Sequence, residues 1–186
     1  MALFTLEHSR AAYLADFALY AAAVVALAAF LLLDGPRELL GQNAAFALVG
    51  LACWTIIEYA LHRFVLHGVE PFRRWHGEHH RRPTALICSP TVMSATLIAT
   101  LVYLPALWLG GLWRACAFTL GVLVGYLAYA VTHHAVHHWR ADSAWLKERK
   151  RWHGLHHHVE RPVCCGVTTA FWDHVFGSAA RQDTPL

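Results

Sequence analysis

Charge is scarce in this chain. Asp, Glu, Lys and Arg make up 15% of its 186 residues and hydrophobic residues 57%, whereas a soluble domain carries about 25% charged residues. That shortage points to a membrane protein. The basic residues hug the apolar stretches and form no separate stripe, which argues against nucleic acid as a partner. The five cysteines, Cys53, Cys88, Cys116, Cys164 and Cys165, have no CxxC spacing. They predict neither a disulfide framework nor a cysteine-based zinc site; Cys53 and Cys116 read as small hydrophobes. No internal repeat, low-complexity stretch, cleaved signal peptide or fused electron-carrier module is expected. One domain over residues 1–186 is the reading for a chain of this length.

Apolar runs are abundant. Residues 11–33 hold one charge, Asp16, and exceed the roughly 20 residues a spanning helix needs. Gly35 and Pro36 then supply a turn. A second run, 44–61, continues to about residue 66; its one charge, Glu58, shares a helical face with His62. The third run, 90–109, contains Pro105, which predicts a kink. Gly110 and Gly111 turn the chain into a fourth run, 115–134. These features predict an all-α integral membrane protein with four transmembrane helices (about 11–33, 44–66, 90–109 and 115–134) and a helical cap from 67–89 and 135–186.

Thirteen of the fifteen Lys and Arg residues lie in the N-terminus, the 62–89 loop or the tail, and only Arg37 and Arg114 lie in the other loops. The positive-inside rule therefore puts both termini and the cap in the cytoplasm. "ADSAWLKERKRWHGLHHH" reads as an amphipathic helix at the membrane surface, capped by Asp142 or Ser143. Trp54, Tyr103, Trp108, Trp113, Trp139 and Trp145 fall near span ends and read as an interfacial belt. Arg73, Arg74, Arg81 and Arg82 read as inside-positive anchors, with a lipid head group or redox partner as the alternative.

Histidine is the conspicuous excess: fifteen residues, fourteen of them between His62 and His174. His76, His79 and His80 form an i, i+3, i+4 set, as do His153, His156 and His157, so each trio projects from one helical face. His133 and His137 are an i, i+4 pair. His62 and His67 are five apart, so either the helix loosens there or the two rings approach different ions. One tetrahedral zinc uses at most four ligands. Ten spaced imidazoles from four segments therefore predict two metal centres, each with about five nitrogens and an open position. Imidazole suits iron, copper, zinc and nickel. Ten buried imidazoles without metal would need ten separate hydrogen-bond solutions. Neutral imidazoles leave the metal charge uncompensated, so Glu58, Glu78 and Asp173 are candidate supporting carboxylates. His134, His138 and His158 abut ligand candidates but fall outside the spacing and read as supporting or surface residues. His174, in "FWDHVFG", is a further supporting candidate, and His8 reads as an exposed side chain.

In "EYALHRFVLHG" (58–68), "HGEHH" (76–80), "GYLAYAVTHHAVHH" (125–138), "RWHGLHHH" (151–158) and "GVTTAFWDHVFGS" (166–178), the chain resembles the membrane fatty acid hydroxylase and sterol desaturase superfamily. Within it, the likeness is greatest to fatty acid 2-hydroxylases. The resemblance implies an O2-dependent, non-haem dimetal enzyme, normally diiron, with zinc able to replace iron. It implies His62, His67, His76, His79, His80, His133, His137, His153, His156 and His157 as ligands and a lipid acyl chain as substrate. Relatives often carry a fused cytochrome b5 domain. Here the electrons are expected from a separate ferredoxin- or cytochrome b5-like donor with its reductase. The alternatives are a carotenoid ring hydroxylase, a sterol-type desaturase or, outside the family, a non-enzymatic histidine-rich metal carrier. Cys164 and Cys165 before the closing motif depart from the family's usual pattern.

Overall fold

The computed structural model describes residues 7–158 and 162–180; the two chain ends, expected in the cytoplasm, lie outside them. Seven α-helices are formed among the described residues: α1 (Arg10–Leu33), α2 (Leu40–Ala60), α3 (Phe72–Arg81), α4 (Thr91–Ile98), α5 (Leu104–His138), α6 (Ala144–His158) and α7 (Phe171–Val175). Two π-helical segments, Leu61–Leu66 and Ala99–Tyr103, continue α2 and precede α5. No strand occurs among the described residues beyond an isolated bridge between Glu7 and Ile87. Arg10–Leu33, Arg37–Leu66 and Thr91–His138 are long and apolar enough to cross a membrane. The last contains Gly111 at φ 74, ψ 177, outside helical geometry and in the region that only glycine enters without a steric penalty. The break in this stretch thus falls at Gly111, and Pro105, where a kink was expected, is preceded by the π-helical turns Ala99–Tyr103; proline has no N–H for the i→i−4 ladder.

The chain groups into two compact units: Met1–Trp54 with Leu86–Leu127, and Thr55–Ala85 with Ala128–Leu186. In the first unit, Ser9 caps α1 by accepting from the Ala12 amide (3.2 Å). Asp16, the lone charge of α1, accepts a hydrogen bond from the Thr91 hydroxyl (2.6 Å), and Tyr20 meets Ser94 (2.7 Å). Polar groups on an apolar helix are thus paired, as lipid requires. Gly50 and Gly121 let α2 and α5 touch backbone to backbone: a Cβ on Gly121 would overlap the Ala47 carbonyl, and one on Gly50 the Phe118 carbonyl. Small residues at such crossings are how membrane helices gain close packing. Trp54, expected in an interfacial belt, is instead buried against Tyr126 and over Gly125, whereas Trp108 is 86% exposed. Leu101, Leu109 and Val92 are exposed apolar side chains of the same unit.

The second unit carries the histidines. Ser143 caps α6 by accepting from the Leu146 amide (3.1 Å), as its sequence suggested. Helix α6 turns Leu146, Arg149, His153, Leu155 and His156 inward. Leu155 packs with Val163 and Cys164 beside Trp152 and Ala180. The C-terminal part of the unit thereby folds the segment around 163–168 against the histidine-bearing face of α6.

Candidate metal centre

Helical geometry sorts the histidines into two nests. His62, His67, His76, His80 and His156 place their donor nitrogens within 4.8 Å of one another, and so do His79, His133, His137 and His153. His157 sits beside the second group, its Nε2 3.0 Å from that of His153. The i, i+4 partners stay together: 76 with 80, 133 with 137, 153 with 157. The i+3 members, His79 and His156, cross to the opposite nest. His62 and His67 reach the same nest, their ring centroids 5.4 Å apart, because Leu61–Leu66 is π-helical. An i→i+5 repeat aligns residues five apart, and such segments are common at functional sites. His80 and His157, one from each nest, stack at 4.1 Å and 11°.

The nitrogen geometry fits metal ions. Nε2 of His76 is 3.0 Å from both His62 Nε2 and His80 Nε2. Nε2 of His153 is 2.9 Å from His137 Nε2 and 3.0 Å from His157 Nε2. An imidazole nitrogen carries either one hydrogen or one lone pair, so neither central nitrogen can form two full hydrogen bonds there. A cation shared by the lone pairs resolves the conflict. With metal–nitrogen bonds of about 2.1 Å, ligands at right angles would lie about 3.0 Å apart and tetrahedral ones about 3.4 Å. The observed spacings match the right-angled arrangement. His79 adds two buried ring nitrogens, and His133 its Nε2, with no hydrogen-bond partner among the described residues.

Protonation agrees with this geometry. Burial, reinforced by neighbouring imidazoles, holds His76, His153 and His156 well below the ordinary histidine range. It lowers His79 to about 2, and His80 and His157 to about 3. Neutral rings are the form that binds metal. A stability consequence follows for protein stripped of metal. Unfolded histidines take up protons below about pH 6.5, whereas these folded ones do not. Stability is therefore complete above that value and falls as pH drops from about 6.5 towards 3. Each fully buried ring contributes up to about 1.4 kcal/mol per pH unit. Thermal unfolding of the metal-stripped protein in detergent should show a markedly lower Tm at pH 5 than at pH 7.5.

Two ligand candidates of the first nest are oriented by backbone carbonyls. His62 Nδ1–H donates to the Cys165 carbonyl (2.6 Å) and His156 Nδ1–H to that of Val163 (2.8 Å). Those bonds fix the tautomer and leave each Nε2 with a free lone pair. Glu58 and Asp173 secure the segment that carries the carbonyls. Glu58, 3% exposed, accepts from the amides of Val167 and Thr168 and from the Thr168 hydroxyl. Asp173, fully buried, accepts from the amides of Cys165 and Gly166 and from the Ser178 hydroxyl. Glu78 pairs with Arg81 and Arg82, the Arg81 bond holding its carboxyl below the usual range. His134 stacks on His138 (4.5 Å). His158 Nδ1–H donates to the Gly154 carbonyl, and the His174 ring lies 5.7 Å from Trp152. Sequence reasoning did not foresee the carbonyls of Val163 and Cys165, since a backbone group leaves no residue signature. Cys165 serves here through its backbone, whereas the Cys164 sulfur accepts from the Ala180 amide (3.4 Å); burial raises their thiols to about 12 and about 11.

Fold and site together define a helical protein with membrane-spanning stretches and two polyhistidine nests suited to metal ions. The family model for fatty acid hydroxylase matches residues 47–178, and the chain belongs to that family. It is 32% identical over 166 residues to the dihydroceramide fatty acyl 2-hydroxylase FAH1 of Arabidopsis thaliana, covering 78% of this chain and 65% of that protein. The ceramide very long chain fatty acid hydroxylase scs7 of Schizosaccharomyces pombe is 32% identical over 146 residues, with 72% and 42% covered. Human fatty acid 2-hydroxylase is 28% identical over 141 residues, with 69% and 38% covered. The chain thus spans less than two thirds of each of these relatives. A solved structure, full-length scs7p with only its hydroxylase domain visible, superposes with a TM-score of 0.81 at 28% identity, covering 94% of this chain and 69% of that one.

Proposed function

We propose that this protein is an O2-dependent diiron hydroxylase of lipid acyl chains that introduces its hydroxyl at carbon 2. The observation that carries the reading is the pair of nests in which Nε2 atoms crowd to about 3 Å. The ligands are His62, His67, His76, His80 and His156 for one ion and His79, His133, His137, His153 and His157 for the other. The relatives' names, fatty acid and ceramide 2-hydroxylases, support the substrate class and the position of attack. Iron would supply the O2 activation needed to break an unreactive C–H bond, which no side chain of this protein can do.

The chain's own part is to hold ten neutral donors, exclude water and align the substrate. In the overall reaction one oxygen atom becomes the new hydroxyl and the other leaves as water, consuming two electrons and two protons. A ferredoxin- or cytochrome b5-like carrier with its reductase delivers the electrons. Attack at carbon 2 requires the acyl carbonyl to lie next to the nests while the tail extends along apolar helices. The whole chain acts as one hydroxylase domain in a membrane. Thr91–His138 has 48 residues, about 72 Å of helix at 1.5 Å per residue, more than twice a hydrocarbon core of about 30 Å. A reversal at Gly110–Gly111 divides it into two spans and makes four in all. The excess of Lys and Arg beside the histidine segments supports a cytoplasmic cap and cytoplasmic termini.

Lipid profiling of a host that expresses the protein tests this reading. The expected result is O2-dependent accumulation of 2-hydroxy acyl chains. Hydroxylated carotenoid rings or desaturated sterols would reject the substrate assignment. Reversible zinc or nickel binding without any new oxidised lipid would point to a metal carrier.

A further inference from the structure

We infer that the two nests are unequal, and that the one built on His62, His67, His76, His80 and His156 holds its metal more tightly. This rests on the two-metal reading above and adds an order of affinity to it.

The difference lies in what each imidazole does with the nitrogen that faces away from the ion. In the first nest, the Nδ1–H groups of His62 and His156 donate to the carbonyls of Cys165 and Val163. A donated hydrogen bond pushes electron density onto the opposite nitrogen, strengthens it as a ligand and fixes the ring before the metal arrives. The carbonyls are themselves held. Asp173 grips the amides of Cys165 and Gly166, and Glu58 grips those of Val167 and Thr168. Gly166 is needed for the Asp173 grip, since a Cβ there would overlap the Thr169 carbonyl and lie 2.9 Å from Asp173 Oδ2. Ser178, which donates to Asp173, also meets Tyr59 (2.8 Å), tying the segment back to the helix that carries His62.

The second nest has no equivalent support at two of its rings. Nδ1 of His79 and Nδ1 of His153 are buried with no hydrogen-bond partner among the described residues. An unpaired buried N–H is unfavourable and contributes nothing to ligand basicity. Glu58 and Asp173 are therefore positioning residues. They act on one ion of the pair, through the backbone of 163–168 and through His62 and His156.

The test is titration of the metal-stripped full chain in detergent with Co(II), read by its d–d absorption and by bound metal per chain. Wild type is expected to bind two ions in two steps whose Kd values differ by at least about 10-fold, the scale of outer-shell support. His67→Ala should abolish the tight step, and His137→Ala the weak one. Asp173→Asn should weaken the tight step by about 10- to 100-fold and leave the weak step unmoved, a selectivity that general loosening of the fold would not produce. Two ions bound with indistinguishable Kd values would overturn the inference and leave the two-metal reading intact. A tight step lost in His137→Ala and kept in His67→Ala would overturn it in the same way. Fewer than two ions at saturation would defeat both. The wild-type titration tests the inequality even if a variant fails to fold, and either His67→Ala or His137→Ala alone assigns the steps to the nests.

Discussion

His156→Ala is expected to abolish formation of hydroxylated lipid, a fall of 100-fold or more, and to lower bound metal from two ions towards one per chain. The ring is 1% exposed and belongs to the nest of His62, His67, His76 and His80. Its Nε2 lies 3.0 Å from that of His67, and its Nδ1 is spent on Val163. Truncation removes a proposed ligand together with a contact between the closing segment and α6. Losing mere outer-shell support costs about 10- to 100-fold in metal affinity or activity, so removing a ligand should exceed that. His158→Ala is the control. That residue is two positions along the same helix, exposed, and among the described residues hydrogen-bonded only to the nearby Gly154 carbonyl. It should keep both metal content and product yield within about two-fold of wild type, since surface changes away from such features are nearly neutral. Equal losses in the two variants would show that α6, and not the donor atom, carries the effect. Metal content and lipid products measured on the same preparations make the comparison.

The second large effect is expected far from the histidines. Gly121→Val should prevent accumulation of folded protein. A Cβ at this position would overlap the Ala47 carbonyl and lie 2.7 Å from the Leu51 amide nitrogen, both backbone atoms that cannot rotate aside. Accommodating valine means driving α2 and α5 apart along their crossing, which forfeits the close packing that holds helices together where water supplies no driving force. Overpacking commonly costs about 1–3 kcal/mol where side chains can yield; here only backbone is available to move, so the loss should exceed that range. Gly77→Ala makes the contrast. Nothing lies within 4 Å of a Cβ there although His76 is its neighbour, and in a helix the exchange should stabilise by about 0.5–1 kcal/mol. Detergent-solubilised yield and size-exclusion profiles of the two variants separate the cases. A monodisperse, normally expressed Gly121→Val protein would mean that the helices do not touch at this crossing.

Much of this site could be read from residue order, because the information is local. An i, i+4 pair lies on one helical face whatever surrounds it, so the pairs 76/80, 133/137 and 153/157 were visible as donors aimed together. Ser143 could be recognised as the cap of α6 for the same reason, since a cap acts over three residues. The spacing of His62 and His67 was ambiguous because two helical geometries interpret five residues differently. Only the observed π-helix selects a common nest. The roles of Glu58 and Asp173 were less legible. Both were suspected as charge partners of the ligands, but Glu58 accepts from the amides of Val167 and Thr168 and the Thr168 hydroxyl, and Asp173 from the amides of Cys165 and Gly166, the Ser178 hydroxyl and the Trp152 indole. The first of these pairings joins positions more than one hundred residues apart, and no periodicity encodes a pairing at that range.

Sequence alone therefore determined the all-helical, membrane-like character and the histidine sets at helical spacing, which follow from side-chain chemistry and short-range repeats. Tertiary structure alone decided which histidine joins which nest, why His79 and His156 change sides, and which rings receive a carbonyl. Those outcomes depend on where separate helices end relative to one another, and packing sets that long after local rules have done their part.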